Sequence, residues 1–577
     1  MPLERPTPGD TGPENPPPRL FTRLILAALS VSLLLPHATR SAEGDETGSG
    51  WSLTRADLDL RVDPDSETLH ARARLTVRLE DATSDRLTLG MNSRNPIMEF
   101  VDVGATGAEV KLNERHPDRE SARLAAIRFD RKRVRGDEVV LTVEWQSSGS
   151  SFQFAVTPEM ALASWVEAWY PIPLNEGDNA LEQRRAPGET RVELPPGWRA
   201  VSNGRLVDSE SSPTGVVDTW EIDTPVARSF VAAPYRLGAH SVDSREFRVY
   251  LLSAEPSRAE TQARTLAGAI TAMERHWGPY PYSTFSIAEV PEDAFEWYAA
   301  AEQGFIVAAT SAFEVAGGNT PLFAHEAAHG WWGNLVTTEG LGSLVVSESL
   351  AQYGAVLAIE ALEGTEAAAD FLRFSRPGYN RVQCAAGFFD LWRRGDDRPL
   401  AALDGSGSDH NLSDAKGHWV YHMLRQRVGD EVFFATLREI IRRYSGSSLS
   451  LEELRAVFVE SAPPETGLEA FFDQWLDRPG APVLDVDWWS VRRGEAVSLA
   501  LRQLQPGEPY DLDLEVEIQM RDGSTARHVV AVSGEETAVE LETADRPVAL
   551  RVDPDHRVLL WRPEYGPRPE VDSEPPD

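Results

Sequence analysis

Asn319-Thr-Pro321-Leu-Phe-Ala-His325-Glu326-Ala-Ala-His329-Gly-Trp-Trp332 is the stretch on which the reading of this 577-residue chain turns. Pro321 suits the first turn of a helix, and Asn319 or Thr320 is placed to cap it, so a helix is predicted from Pro321. On it His325 and His329 lie one turn apart and project from one face. Two imidazole nitrogens about 2.0–2.1 Å from one ion are what a zinc site asks of such a pair. Glu326 falls about 100° around the helix, near enough to hold a water beside the ion without ligating it. That is the position of a general base. The opposite face carries Phe323, Ala327 and Trp331, which should pack inward.

A pentapeptide is short, and a catalytic zinc needs a third protein ligand, commonly a carboxylate from a second helix. After His329 and eighteen intervening residues comes Glu348, in Val345-Val-Ser347-Glu348-Ser-Leu-Ala-Gln-Tyr353. Ser347 is expected to cap the helix that Glu348 opens. This spacing makes chance a poor explanation. His325, His329 and Glu348 are therefore expected to hold one Zn2+ per chain, with the fourth position left for water and Glu326 taking its proton. Cys384 is the single cysteine, so no intrachain disulfide and no multi-cysteine zinc site is possible; it reads as a small buried residue.

Outward from the motif the pattern changes on both sides. Helical periodicity runs from about Ser257 to about residue 475. Before it, Leu58, Leu60 and Val62, then Leu75, Val77 and Leu79, alternate with charged residues as strands do, and Val139–Val143 and Phe230–Ala233 continue the theme. Asn203-Gly204 reads as a hairpin turn. Alternation returns from Val483 to Leu560, and the Pro- and Glu-rich tail 563–577 is expected to be disordered. The order is β, then α-rich, then β.

Acidic residues outnumber basic ones by 91 to 56, a net charge of −35, and only Lys111, Lys132 and Lys416 are lysines. Such a chain repels phosphate backbones and anionic lipid, which argues against nucleic acid as a partner. Arg19 and Arg23, the apolar run Leu24–Leu35 and the small residues through Ala42 have the layout of a secretory signal, expected over 1–42. Export to a periplasmic or extracellular setting follows, with an uncleaved signal acting as an anchor as the alternative. No further long apolar run predicts an integral membrane domain once the signal is removed.

The sequence His325-Glu326-x-x-His329, eighteen residues, Glu348, with Trp332-Gly-Asn-Leu-Val-Thr337 after the second histidine, resembles the gluzincin aminopeptidases. These are the alanyl-aminopeptidase-like zinc metallopeptidases, a group that includes the leukotriene hydrolases. Gly278-Pro-Tyr-Pro-Tyr282 with Val290-Pro291, Lys416-Gly417 through Val432-Phe433, and Trp169-Tyr170-Pro171 extend the resemblance. It implies a multidomain α+β fold: an N-terminal β-saddle domain (43–240), a thermolysin-like α-rich catalytic domain (241–478) and a C-terminal β-sandwich (479–562). The large C-terminal helical domain of many relatives is expected to be absent, leaving a more open cleft. The implied activity is hydrolysis of the N-terminal peptide bond of peptides with a free amine.

Two departures bear on that activity. The family's anchor for the substrate amine is Gly-x-Met-Glu-Asn, and here the stretch reads Ala299-Ala-Ala301-Glu302-Gln303-Gly304. The resemblance makes Glu302 and Gln303 substrate-binding residues; the alternative is a Glu302 that faces solvent on an edge strand. The family also places a tyrosine hydroxyl two residues before the Lys-Gly pair, as donor to the oxyanion. Asp414 stands there, a second catalytic position beside Glu326. An ionised carboxylate would repel an oxyanion where a donor is worth about 3 kcal/mol. Open are a substitute donor (His410, His418 or Tyr421), a protonated Asp414, a shifted register or reduced activity. The unusual Lys416 suggests a specific need at the site. Beside the aminopeptidase reading stand an endopeptidase or other zinc hydrolase on the same ion, and a binding or scaffold protein with a relic zinc site.

Overall fold

The computed structural model describes residues 50–569, apart from 93–96, 117–118, 152, 176–184, 243–244, 254–255, 293, 295–297 and 492–494; the expected signal segment 1–42 lies outside the described residues. The N-terminal part is built of strands. A seven-stranded sheet runs in the order 205–212, 215–226, 186–194, 51–63, 68–79, 138–148, 97–105, antiparallel except where 51–63 meets 186–194. Two four-stranded sheets complete it. Leu58, Leu60, Val62, Leu75, Val77 and Leu79 are all buried, and with Trp145, Trp169 and Phe230 they form one apolar core. Period-two alternation buries one face of each strand, which is why these segments pair as they do.

The middle part does not begin as a run of helices. After helix α1 (Pro256–Trp277) come the strands 286–290, 299–301 and 305–309, correcting the expectation of helices throughout from about Ser257. They join a five-stranded sheet in the order 236–242, 245–251, 286–290, 305–309, 299–301. Their buried faces, such as Ser286–Val290, have no polar alternation to mark them, because both sides are covered. Strand Arg236–Val242 crosses the expected boundary at 240 and belongs to this sheet.

Helix α2 (Thr320–Ala328) and helix α3 (Ser343–Glu363) pack on each other and on α1. Phe323, Ala327 and Trp331 are buried as read. Helix α3 is the only helix among the described residues long and apolar enough to cross a membrane, and it is the buried central helix of this part. It also starts earlier than read. The chain turns at Gly342, in left-handed backbone (φ 72°), so Ser347 sits in the second turn and its hydroxyl donates back to the Ser343 carbonyl at 3.4 Å.

Two three-stranded sheets follow, 484–491/496–503/536–542 and 525–532/512–520/547–552. Their inner faces (Val497, Leu499, Leu514, Val516, Ile518) share one continuous core with the helices. The tail is ordered further than read: Pro563–Tyr565 form a helical turn, and the buried Tyr565 ring stacks on Phe389 at 5.6 Å. Arg393 donates to the Pro567 carbonyl at 2.7 Å. One aromatic ring with an apolar seat outweighs the local Pro/Glu composition; residues 570–577 lie outside the described residues.

Candidate active site

Helices α2 and α3 bring His325, His329 and Glu348 to one point. His325 Nε2 and His329 Nε2 are 3.3 Å apart, and Glu348 Oε2 lies 3.7 and 3.5 Å from them. Ligands about 2.0–2.2 Å from a tetrahedral zinc sit about 3.3–3.6 Å from one another, so the three atoms have the spacing of a zinc ligand set.

Their partners leave the right lone pairs bare. His329 Nδ1 donates to the Trp332 carbonyl at 3.0 Å, and His325 Nδ1 to Gln352 Oε1 at 3.1 Å. The Gln352 amide is oriented by its own nitrogen, which donates to the Gln383 carbonyl at 3.2 Å, and Tyr379 also donates its hydroxyl to Gln352 Oε1. Both acceptors can only accept, so each ring keeps a proton on Nδ1 and turns Nε2 toward the shared point as the atom that would bind a metal. Burial works against charge on Glu348, but His329 and His410 outweigh it and hold its carboxyl well below the usual range. Burial likewise opposes charge on His329, while Glu348 pushes it up to about 10, so a metal entering this site displaces a proton. Glu326 is buried one position beyond His325, and burial raises its carboxyl against the pull of His325 and His329.

The chain 299–304 forms a short edge strand (Ala299–Ala301) beside α2 and a tight turn, with Gln303 at φ 50° and Gly304 at φ 119°. Glu302 does not face solvent. It is 1% exposed, and neither carboxyl oxygen has a partner in hydrogen-bond geometry. Burial pushes its pKa up to about 7, with the Glu326 charge adding to the rise and Ser229 and Ser164 opposing it. The Gln303 side chain is turned to the N-terminal part, where its carbonyl accepts from the Ala227 amide at 3.0 Å.

Asp414 lies in a π-helical turn, Ser413–Gly417, between the helical turn Asp409–Leu412 and helix His418–Val428. Such turns are rare and often mark functional positions. Asp414 is fully buried; Gln383 donates its amide to Oδ2, and His410 Nε2 lies 3.4 Å from the same oxygen. Burial raises the Asp414 carboxyl, with His410 opposing. His410 Nε2 also comes within 3.8 Å of Glu348 Oε2. The turn is seated on α3: Ser349 donates to the Ser413 carbonyl at 2.7 Å, and a Cβ on Gly417 would lie 1.9 Å from Ser349 Oγ.

Residues 299–475 match the Peptidase family M1 domain. That match, together with the relatives and folds below, supports a gluzincin-type aminopeptidase reading of this part of the chain. It is 26% identical over 416 residues to Aminopeptidase N of Streptomyces lividans, covering 63% of this chain and 45% of that protein. It is 26% identical over 282 residues to human Aminopeptidase RNPEPL1, covering 45% and 37%. The chain therefore spans less than half of these relatives' lengths. The fold matches Legionella pneumophila aminopeptidase A, solved with aspartic acid, at a TM-score of 0.62 and 17% identity over 89% of this chain and 60% of that one. It also matches a mutant M1 zinc metallopeptidase of Deinococcus radiodurans bound to a Tyr-Ser-Ala substrate, at a TM-score of 0.56 and 17% identity over 74% and 94%.

Within the M1 domain the sequence-read positions divide. His325, His329, Glu348 and Glu326 meet, Glu302 lies close enough to feel the Glu326 charge, and Asp414 adjoins through His410. Lys416 departs from the reading. It is buried on the far side of the π-turn, donating to the Arg478 carbonyl at 3.0 Å and lying over the Phe388 ring, so its need is the join to the C-terminal part. Of the three substitute donors considered, His418 is spent on the Asp414 carbonyl and Tyr421 on that of Val345 (2.9 Å); His410 alone reaches the ligands.

Four residues at the site went unread. Gln352 had a signal, one turn after Glu348 on the same face. Tyr379 and Gln383 come from an irregular segment with none. Asn203, read as a turn residue, is fully buried; its amide nitrogen donates to the Glu302 and Gln303 carbonyls at 2.6 and 3.1 Å, and its oxygen accepts from the Ser229 amide at 2.6 Å. It fastens the Glu302 turn to the N-terminal part.

Proposed function

We propose that the chain is a zinc-dependent aminopeptidase that hydrolyses the N-terminal bond of peptides with a free amine. The observation that carries this reading is the convergence of three ligand atoms at zinc spacing, with the Glu326 carboxyl near enough to feel their charges. Zinc bound there would polarise the scissile carbonyl and acidify water. Glu326 takes the proton of the attacking water and delivers it to the leaving amine, a shuttle that its raised pKa suits. Glu302 supplies exo-specificity. A carboxyl buried without a well-formed hydrogen bond is costly to charge, and the substrate ammonium is a cation that relieves the cost. Asn203 holds the turn that presents it. The apolar run Leu24–Leu35 and its flanks support an exported protein.

The test uses fluorogenic aminoacyl amides, their N-acetylated forms and internally quenched peptides, each with and without chelator. Chelator-sensitive cleavage of the free-amine substrates alone supports the reading. Equal cleavage of acetylated substrates makes it an endopeptidase, and no cleavage of any substrate by zinc-loaded protein overturns hydrolysis.

A further inference from the structure

We propose that His410 is the donor to the developing oxyanion in this chain, with Asp414 as its positioning residue, in place of the tyrosine hydroxyl of the family. The inference rests on the hydrolase reading above.

Asp414 cannot touch a substrate: it is fully buried, and the Gln383 amide and the His410 ring lie on its Oδ2. The group between it and the cleft is His410, whose side chain is 59% exposed, unlike every other member of the site. Its Nε2 is 3.8 Å from Glu348 Oε2, the atom that also faces His325 and His329, so an N–H on this ring addresses the volume where the ligands converge. An imidazole has an N–H to donate in either charge state, whereas a carboxylate has none. The same Nε2 lies 3.4 Å from Asp414 Oδ2, a contact that holds this edge of the ring toward the ligands.

The supporting turn is built for register. Ser413 donates its hydroxyl to the His410 carbonyl at 2.8 Å, Ser349 donates to the Ser413 carbonyl, and Ser349 adjoins Glu348 on α3. The segment bearing His410 and the helix bearing Glu348 are thereby pinned together. Gly417 permits the approach, since any side chain there would strike Ser349. The hydroxyl donor of the family is thus exchanged for two residues four apart, His410 as the donor and Asp414 beside the same ring nitrogen, holding that edge in place.

The experiment compares the parent with H410A, H410Q, D414N and H410A/D414N. It reads kcat and KM on a peptide substrate, zinc per chain, and affinity for a phosphinic dipeptide, whose tetrahedral anion mimics the oxyanion. In H410A, kcat is expected to fall about 100-fold with KM within about threefold. Phosphinate affinity should fall in parallel while zinc stays at the parent level. H410Q, which keeps an N–H, should recover part of the loss. D414N should cost about tenfold alone and add nothing on H410A, since it acts through that ring. H410A with kcat and phosphinate affinity within twofold of the parent overturns the proposal. So does a parent holding two zinc ions that falls to one in H410A, which would make Glu348, His410 and Asp414 a second cation site. A parent that cleaves only blocked peptides defeats the aminopeptidase reading, yet leaves the His410 comparison measurable on those peptides. A parent that cleaves nothing still reports through the phosphinate.

Discussion

Gln352 and Gln383 join the two sides of the active site: the Gln352 amide nitrogen donates to the Gln383 carbonyl at 3.2 Å, and the Gln383 amide in turn donates to Asp414. Gln352 orients His325 through the ring's far nitrogen, so one chain of amides runs from a candidate metal ligand to the residue standing where the family has tyrosine. Replacing Gln352 by Leu should lower zinc affinity about 10–100-fold, the usual cost of losing a partner behind a ligand. Competition with a chromogenic chelator measures it. Unchanged affinity would mean that His325 needs no support.

Glu326→Gln keeps the shape of the side chain and removes the proton acceptor. It should cut kcat by about 1,000-fold or more while zinc content stays at the parent level, because Glu326 is not among the three converging donors. Metal analysis beside steady-state kinetics checks both halves. Loss of zinc together with activity would reassign Glu326 as a ligand.

The Glu302 pKa of about 7 makes both stability and recognition depend on pH. Its ordinary value is 4.5, so the folded protein holds a proton that the unfolded chain releases between the two values. Stability should therefore fall as pH rises from about 4.5 to 7, with the full cost of roughly 3 kcal/mol present above 7. Glu302→Gln should melt higher than the parent at pH 8 and equally near pH 4. Recognition runs the opposite way: KM for free-amine peptides should rise as pH falls below 7 and the carboxylate is lost. A pH-independent KM across 6–8 would detach Glu302 from the amine.

Gly417→Ala places a methyl 1.9 Å from Ser349 Oγ. Overpacking of this kind costs about 1–3 kcal/mol, and here it would also lift the π-turn from α3 and lower kcat. Ser349→Gly in the same chain should return part of both losses, measured by thermal melting and kinetics. Equal damage in the single and double variants would exclude the contact as the cause.

The convergence of His325, His329 and Glu348 was legible because these residues repeat at the helical period and sit on helices: the two histidines one turn apart, with Glu348 on the next helix. The N-terminal strands were legible for the same kind of reason, since one wet face leaves an alternating trace. Strands 286–290 and 305–309 were not, because a strand covered on both sides is uniformly apolar and reads like buried helix. Ser347 was misread as a cap because its residue type fits one, whereas Gly342 starts α3 through its left-handed backbone. Asp414 could be located by resemblance, but its burial and the reach of His410 depend on a π-turn, and a one-residue change of helical phase leaves no mark in composition. Tyr379 and Gln383 arrive from a segment without periodicity.

The apolar interior shared by the helices and the C-terminal sheets means that these parts melt together. Trp475 meets Tyr510 at 5.1 Å, Lys416 reaches the Arg478 carbonyl, and the Leu559 amide rests on Met423. A chain trimmed after about residue 478 would expose that whole seam to water and loosen the turn that carries Asp414. The strand-rich C-terminal end is thus no passive appendage: it is the far wall against which the Asp414 turn is braced, and a folded fragment carrying the candidate site has to include it.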